Sequence, residues 1–207
     1  MCCGRTYLAK GMVEEARSEA MRLLDALEPY VRRGLPVVGL EPACLLALRD
    51  ELPSMIPGDA SKALAQESLL FEEFLARAHA DGNLTLKLDA LPGARALLHG
   101  HCHQKAFGAM PAVEQTLRLI PGLELETVES SCCGMAGSFG YEAGHYEISM
   151  KMGELSLLPR VRAAAAETVI VADGTSCRQQ IAHGAGREAV HVARLLQRSL
   201  LSSHPRT

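Results

Sequence analysis

The chain has 207 residues, a formal net charge of -3, 48% hydrophobic and 22% charged residues, and a mean hydropathy of +0.06. That is enough chain for one or two domains with real cores, in a composition typical of a soluble globular protein. The acidic balance argues against nucleic acid, which needs a basic face, and no apolar run reaches the roughly 20 residues that span a bilayer.

The chain opens MCCGRTYLAKGMVEEAR, with no basic leader ahead of an apolar stretch, so no signal peptide is expected and a cytoplasmic protein is the default. Val13, Ala16, Ala20, Leu23, Leu24 and Leu27 recur at helical spacing and predict a helix ending near Pro29. Residues 36–40 (PVVGL) read as a buried strand. A helix follows over about 60–78, with Leu64, Leu69, Leu70, Phe74 and Leu75 on its apolar side. Turn signals at Asp81-Gly82-Asn83 and Pro92-Gly93 mark the best internal boundary. We therefore expect two domains, 1–90 and 91–207.

Beyond the boundary, 94–98 reads as a strand, a helix follows His103, and 123–128 reads as a second strand. A helix is expected over 144–158, a third β-rich run over 168–172, and a short helix after Cys177. Val190, Ala193, Leu195, Leu196 and Leu200 predict a closing amphipathic helix. Strands alternating with helices imply an α/β fold whose mainly parallel sheets are joined by crossover helices.

Seven cysteines are present, two pairs of them adjacent. Neighbouring cysteines make a strained disulfide ring, and in a reducing compartment clustered cysteines usually bind metal or do redox chemistry. The two halves also repeat a pattern. Cys2-Cys3-Gly4 is followed 41 positions after Cys3 by Cys44, which ends VVGLEPAC; Cys132-Cys133-Gly134 is followed 44 positions after Cys133 by Cys177, which ends VIVADGTSC. Each closing cysteine stands just past a β run and an acidic residue, Glu41 or Asp173. An internal duplication is expected.

In the second unit Cys102, Cys132, Cys133 and Cys177 each follow a predicted strand. Open parallel sheets bind ligands beyond the carboxyl ends of their strands. If the strands are parallel neighbours, three distant segments deliver four sulfurs to one edge. Four thiolates hold zinc or an iron–sulfur cluster. Structural zinc sites usually pair cysteines as C-x-x-C, which this chain lacks, so adjacent cysteines with long separations favour a larger cluster. Gly134 and Gly137, in GMAGSFG, allow backbone to approach a bulky cofactor; the stretch contains no G-x-G-x-x-G. His99, His101 and His103 alternate around Cys102, and a β run would present them on one face, where one could be a ligand or proton donor. Lys105, Arg178 and His183 are candidates to offset cluster charge. Cys2, Cys3 and Cys44 form a possible second metal site. Thiol–disulfide chemistry at Cys132-Cys133 remains a further alternative.

The segments CCGR (2–5), LEPAC (40–44), GHCHQKA (100–106), SCCGMAGSFGYE (131–142) and ADGTSCRQQ (172–180) resemble the cysteine-rich CCG domain. That domain occurs in heterodisulfide reductase and in the iron–sulfur subunits of glycolate and glycerol-3-phosphate oxidoreductases. It also ends fused FAD-linked oxidases acting on D-2-hydroxy acids such as D-lactate or D-2-hydroxyglutarate, which 131–142 and ADGTSC resemble most. The resemblance implies an iron–sulfur electron-transfer module, with 4Fe-4S the expected cluster and zinc the alternative. The module would be part of a flavin-linked oxidoreductase, not a complete enzyme, with FAD on another domain or partner and a ferredoxin-like iron–sulfur domain between. It implies metal ligands at Cys102, Cys132, Cys133 and Cys177, with His101, His103, Gly134, Gly137 and Arg178 around them. The cytoplasm, or the inner face of a membrane as a peripheral protein, is the implied location. Two departures are specific. The family often closes in C-x-x-C, whereas Arg178, Gln179 and Gln180 follow Cys177, which bears on a five-thiolate cluster. The family also places a cysteine upstream of each Cys-Cys-Gly, as Cys102 stands in the second unit, so the resemblance implies a first unit that is N-terminally truncated.

Overall fold

The computed structural model describes residues 2–91, 94–130 and 132–200, so the expected turn at Pro92-Gly93 lies outside the described residues, as does Ser131. The chain divides into two compact units, Met1–Phe74 and Leu75–Thr207.

In the first unit, α1 (Arg5–Leu8) leads into α2 (Val13–Val31), then β1 (Val37–Gly39), α3 (Pro42–Ala47), α4 (Glu51–Met55), α5 (Asp59–Glu67) and β2 (Ser68–Leu70). Ala16, Ala20 and Leu24 form the buried stripe of α2, which packs on α1, α4 and α5. The helix runs two residues past Pro29. The proline stands in the last turn, where the one hydrogen bond it removes ends little else. β1 is not the buried strand its apolar run predicts: Val38 is 41% exposed, because β1 pairs with β2 alone, in parallel.

The expected helix over 60–78 is two helices with β2 between them, the second being α6 (Phe71–Ala80). All three residues of β2 are buried. Ser68 Oγ donates to Leu64 O at 2.7 Å, closing α5, and Arg49 Nε donates to Ser68 O at 2.7 Å. A short apolar run reads alike as buried strand or helix, and here strand pairing decides.

The second unit holds a four-stranded sheet. β3 (Arg95–Leu98) is followed by α7 (Cys102–Ala106), α8 (Met110–Arg118) and β4 (Glu124–Thr127). A single 3-10 turn (Phe139–Tyr141), α9 (Tyr146–Glu154) and α10 (Leu157–Ala163) lead to β5 (Val169–Val171), then α11 (Thr175–Ala185), β6 (Ala189–Val190) and α12 (Val192–Ser199). The order is β4-β3-β5-β6 and every pairing is parallel. The chain winds outward from β3 to β4, then returns past β3 to β5, so the winding reverses between β3 and β5.

Several helix limits differ from the sequence pattern. The helix expected over 144–158 breaks at Leu155-Ser156, where Ser156 Oγ donates to Glu129 O, 27 positions away, at 2.5 Å. The helix near Cys177 begins at Thr175 and is 11 residues long, which puts the cysteine in its first turn rather than ahead of it. The helix expected after His103 starts one residue before it, at Cys102. Val190 belongs to β6, a strand too short for a pattern to reveal.

Leu97 and Ile170 pack with Leu157, Val161, Ile181, Cys133 and Cys177 in one apolar cluster. By the two-residue period of a strand, Leu98 and Val171 face the other way, and both are fully buried. Leu98→Ala is expected to destabilise the chain by about 2–5 kcal/mol in urea denaturation; a loss below about 1 kcal/mol would contradict a packed central strand.

Candidate metal centre

The parallel sheet places the ends of β3, β4 and β5 at one edge. Beyond β3 lie His99, His101 and Cys102; beyond β4 lie Cys132 and Cys133; beyond β5 lie Asp173 and Cys177. Backbone bonds hold these exits together: His99 N donates to Val171 O at 2.8 Å and Val128 N to Leu98 O at 2.8 Å. Thus one edge collects the four expected cysteines. All seven cysteines of the chain are free thiols.

Thiol–thiol contacts run in a chain from Cys102 to Cys132, from Cys132 to Cys133 and from Cys133 to Cys177. Cys133 and Cys177 are buried, whereas Cys102 and Cys132 are half-buried. Cys132 lies below the ordinary thiol range, held there first by the Cys102 thiol and then by Cys133; desolvation opposes this, and the Gly134 and Ala136 N–H groups add to it. Cys177 is also lowered, by the Cys133 thiol first, with burial opposing and the His99 ring assisting. Cys102 and Cys133 are raised, in each case by the Cys132 thiol first, and burial raises them further. Four thiolates packed together repel one another, so without a cation the group retains protons. A metal centre replaces those protons with positive charge, and the all-sulfur donor set suits zinc or an iron–sulfur cluster.

The backbone is shaped for this. Gly134 N donates to Cys132 Sγ at 3.3 Å. Gly134 has φ +96°, and a Cβ there would lie 2.1 Å from Ser149 O. Ala136 is the one non-glycine with positive φ among the described residues, at 40°. Gly137 follows at φ +71° in open space, and its carbonyl accepts Ser176 Oγ at 3.1 Å, fastening this loop to the start of α11. Gly174, ahead of α11, has its missing Cβ position 2.4 Å from the His101 ring and 3.3 Å from Cys177 Sγ.

The three histidines do not share a strand face, because β3 ends at Leu98 and the chain turns into α7. His101 caps that helix: its Nδ1 accepts His103 N at 3.1 Å, while Gln104 Oε1 accepts His101 N at 2.9 Å. His103 sits in the first turn, its ring edge-on to His101 at 5.1 Å. His99 is 1% exposed, with Nδ1 2.9 Å from Ser130 Oγ. His99, Cys133 and Cys177 contribute donor atoms that all lie within 4.8 Å of one another.

Among the cations, Lys105 donates to Ser130 O, and to Ser130 Oγ at 3.3 Å. Burial lowers its pKa, and the four site cysteines oppose that shift. Arg178 fastens the β5–α11 loop, donating to Ala172 O at 3.0 Å, to Asp173 O, and to Thr175 Oγ1 at 3.1 Å. His183 is exposed, in the last turn of α11, about 9 Å along the helix axis from Cys177.

The supporting roles of Gln104, Asp173 and Gln180 were not read from the sequence. Gln104 Nε2 donates to Asp173 Oδ2 at 2.8 Å, and Asp173 Oδ1 accepts Val192 N at 3.0 Å. This buried carboxylate therefore ties α7, the β5 exit and α12 together. The acidic residue before each closing cysteine was visible, but its partners lie in segments that only the sheet brings near. Gln180 likewise donates to Ser149 O at 3.0 Å, across from α11 to α9.

The first unit has a similar arrangement by itself. Gly4 N donates to Cys2 Sγ at 3.4 Å. Gly4 has φ +83°, with its missing Cβ position 2.4 Å from Ala16 O. Cys44, in the first turn of α3 beyond β1, meets the Cys3 thiol. This contact lowers Cys3 to about 6 against the opposing effect of burial, and it raises Cys44.

Comparison with known proteins gives a consistent assignment. Residues 96–182 match the family model of the CCG cysteine-rich domain. The chain is 32% identical over 200 residues to one subunit of the anaerobic glycerol-3-phosphate dehydrogenase of Escherichia coli (strain K12), covering 96% of this chain and 49% of that protein. It is 30% identical over 200 residues to D-2-hydroxyglutarate dehydrogenase of the same organism (93% and 18%), and 29% over 189 residues to that of Pantoea ananatis (strain AJ13355) (91% and 18%). The chain thus spans about half the length of the first relative and under a fifth of the other two. No solved structure matches.

Gly134→Ala is expected to cost at least about 3 kcal/mol, combining strained φ with a backbone clash, whereas Gly137→Ala costs about 1 kcal/mol. Urea denaturation of the two variants measures the difference. Equal losses would show that close packing on Ser149 does not matter.

Proposed function

We propose, from residues 96–182 being a cysteine-rich domain of the CCG type, that this chain is an iron–sulfur electron-transfer module of a flavin-linked oxidoreductase. The observation that carries the proposal is the convergence of Cys102, Cys132, Cys133 and Cys177 from three strand exits onto one edge. A cluster of the 4Fe-4S type would supply one-electron storage and transfer there. The chain's own residues hold it, shield it and set its electrostatics.

The four thiolates are the ligands. Peptide N–H groups of Gly134 and Ala136 donate to Cys132, Met135 N–H assists Cys133 and His103 N–H assists Cys102. Such donors stabilise the extra negative charge of a reduced centre and so raise its potential. Burial of Cys133 and Cys177 excludes water from the inner wall, while half-buried Cys102 and Cys132 face the route by which electrons enter or leave. Lys105 lies beside the sulfurs and offsets part of their charge. His101, His103 and Arg178 fix the loops that bear the ligands.

Electrons would come from a flavin on another domain or protein, through a ferredoxin-like iron–sulfur domain, and pass to an acceptor. The relatives are named for glycerol-3-phosphate and D-2-hydroxyglutarate dehydrogenases. We take the substrate class of the whole assembly to be 2-hydroxy acids. No helix of the described residues is long and apolar enough to cross a membrane; the cytoplasm or the inner membrane face fits the reading. The shared Cys-Cys-Gly geometry of the two units supports an internal duplication, with Cys2, Cys3 and Cys44 as a second, three-thiol site. A zinc site held by the same four cysteines is the second reading, because an all-thiolate donor set suits that ion as well.

Anaerobic reconstitution with iron and sulfide tests this. The chain is expected to bind both in stoichiometric amounts and to give an EPR signal on reduction; stoichiometric zinc without sulfide would favour the second reading. Cys132→Ser and Cys177→Ser are each expected to lose most of the bound iron, while Cys44→Ser keeps most of it. Equal losses from all three would move the main centre's assignment away from the second unit alone.

A further inference from the structure

We infer that His99 is itself a ligand of this centre, giving it a mixed sulfur and nitrogen donor set. The inference rests on the metal-site reading above but adds a residue that the cysteine pattern does not contain.

Three observations converge on His99. It stands directly beyond β3, where the winding of the sheet reverses between β3 and β5. In parallel α/β sheets that crevice is where ligands bind. Its backbone N–H is bound to Val171 O at 2.8 Å, so the residue is fixed against the strand whose exit carries Cys177. Its donor atom, Cys133 Sγ and Cys177 Sγ all lie within 4.8 Å of one another. The three donors therefore converge closely enough to serve one metal centre.

The second nitrogen decides the reading. The His99 side chain is buried, and Nδ1 is engaged with Ser130 Oγ at 2.9 Å. Nε2 is buried without a nitrogen or oxygen hydrogen-bond partner among the described residues. A buried imidazole nitrogen with no oxygen or nitrogen partner is costly unless something else engages it, and the group the His99 ring acts on is the Cys177 sulfur. A metal-bound histidine normally donates its other ring N–H to a fixed acceptor, which sets the tautomer and the ring's aim. In the tautomer that leaves Nε2 free to ligate, Ser130 Oγ accepts from Nδ1, and Lys105 Nζ donates to the same oxygen at 3.3 Å. Ser130 is therefore a positioning residue. By contrast, His101 spends Nδ1 on capping α7.

The donor set also bears on the sequence after Cys177, where Arg178, Gln179 and Gln180 offer no further thiol. His99 supplies the additional donor from a different wall of the crevice. It binds as a neutral ligand where a cysteine would bring a negative charge. A centre with His99 should therefore have a higher potential than its His99→Cys counterpart.

The test is pulsed EPR on the reduced, reconstituted full-length chain, grown with 15N-histidine or with natural nitrogen. A directly bonded nitrogen gives a strong hyperfine coupling that changes with the isotope. This coupling should vanish in His99→Ala and in His99→Cys, with His99→Cys keeping most of the iron and shifting the potential downward. Only a weak, through-space coupling in the unmodified chain, unchanged by His99→Ala, would overturn the assignment and leave the electron-transfer reading standing.

If the chain binds neither iron nor sulfide, that earlier reading fails first. Cobalt(II) titration of the metal-free chain then tests His99 alone. Its ligand-field bands should differ between the unmodified chain and His99→Cys, and identical spectra would overturn the assignment.

Discussion

Parallel pairing of β3 with both β4 and β5 is the constraint on which the rest depends. A parallel sheet sends every strand exit to the same edge, so segments near residues 99, 132 and 177 meet although up to 78 positions separate them. An antiparallel β3–β4 pair would place Cys132 and Cys133 at the opposite end of the sheet from Cys102. The apolar face formed by Leu97, Ile170, Leu157, Val161 and Ile181 holds the sheet to its helices and also encloses Cys133 and Cys177. Core and site are thus one packing arrangement, and disturbing either disturbs both.

Collecting sulfurs creates an electrostatic problem that the backbone only partly solves. The Cys-Cys-Gly turn aims peptide N–H groups at Cys132, which stabilises a thiolate without introducing a mobile charge. The left-handed glycine makes that turn possible because its Cβ position is filled by a helix carbonyl. Proton sharing between neighbouring thiols covers the remaining repulsion when no cation is bound, and a metal centre does so more completely. The first unit uses the same turn at Gly4 against Ala16 O. The chemical reason for the repeated motif is therefore visible in both units.

Much of this was legible in the sequence, for identifiable reasons. The four cysteines and the strands ahead of them follow from residue types and short β-rich runs, and their convergence follows from the rule for parallel sheets. Tertiary bonds that periodicity does not encode accompany the helix limits: Ser156 binds Glu129 O where one helix breaks, and β1 pairing drew Ser68–Leu70 out of another. The histidines illustrate the limit of pattern reading. Their alternation predicted one shared face, but the chain turns after Leu98, leaving His99 buried at the sheet edge and His101 as a cap. The roles of Asp173 and Gln104 depend on partners 19 and 69 residues away, which no local signal reveals.

X-ray absorption at the iron edge of the reconstituted chain addresses the central claim most directly, because it reports the atoms around the metal without requiring the flavin partner. The account predicts a shell dominated by sulfur together with iron–iron scattering, from iron held at the edge bearing Cys102, Cys132, Cys133 and Cys177. Failure to retain iron, or a shell of oxygen and nitrogen alone, would contradict it.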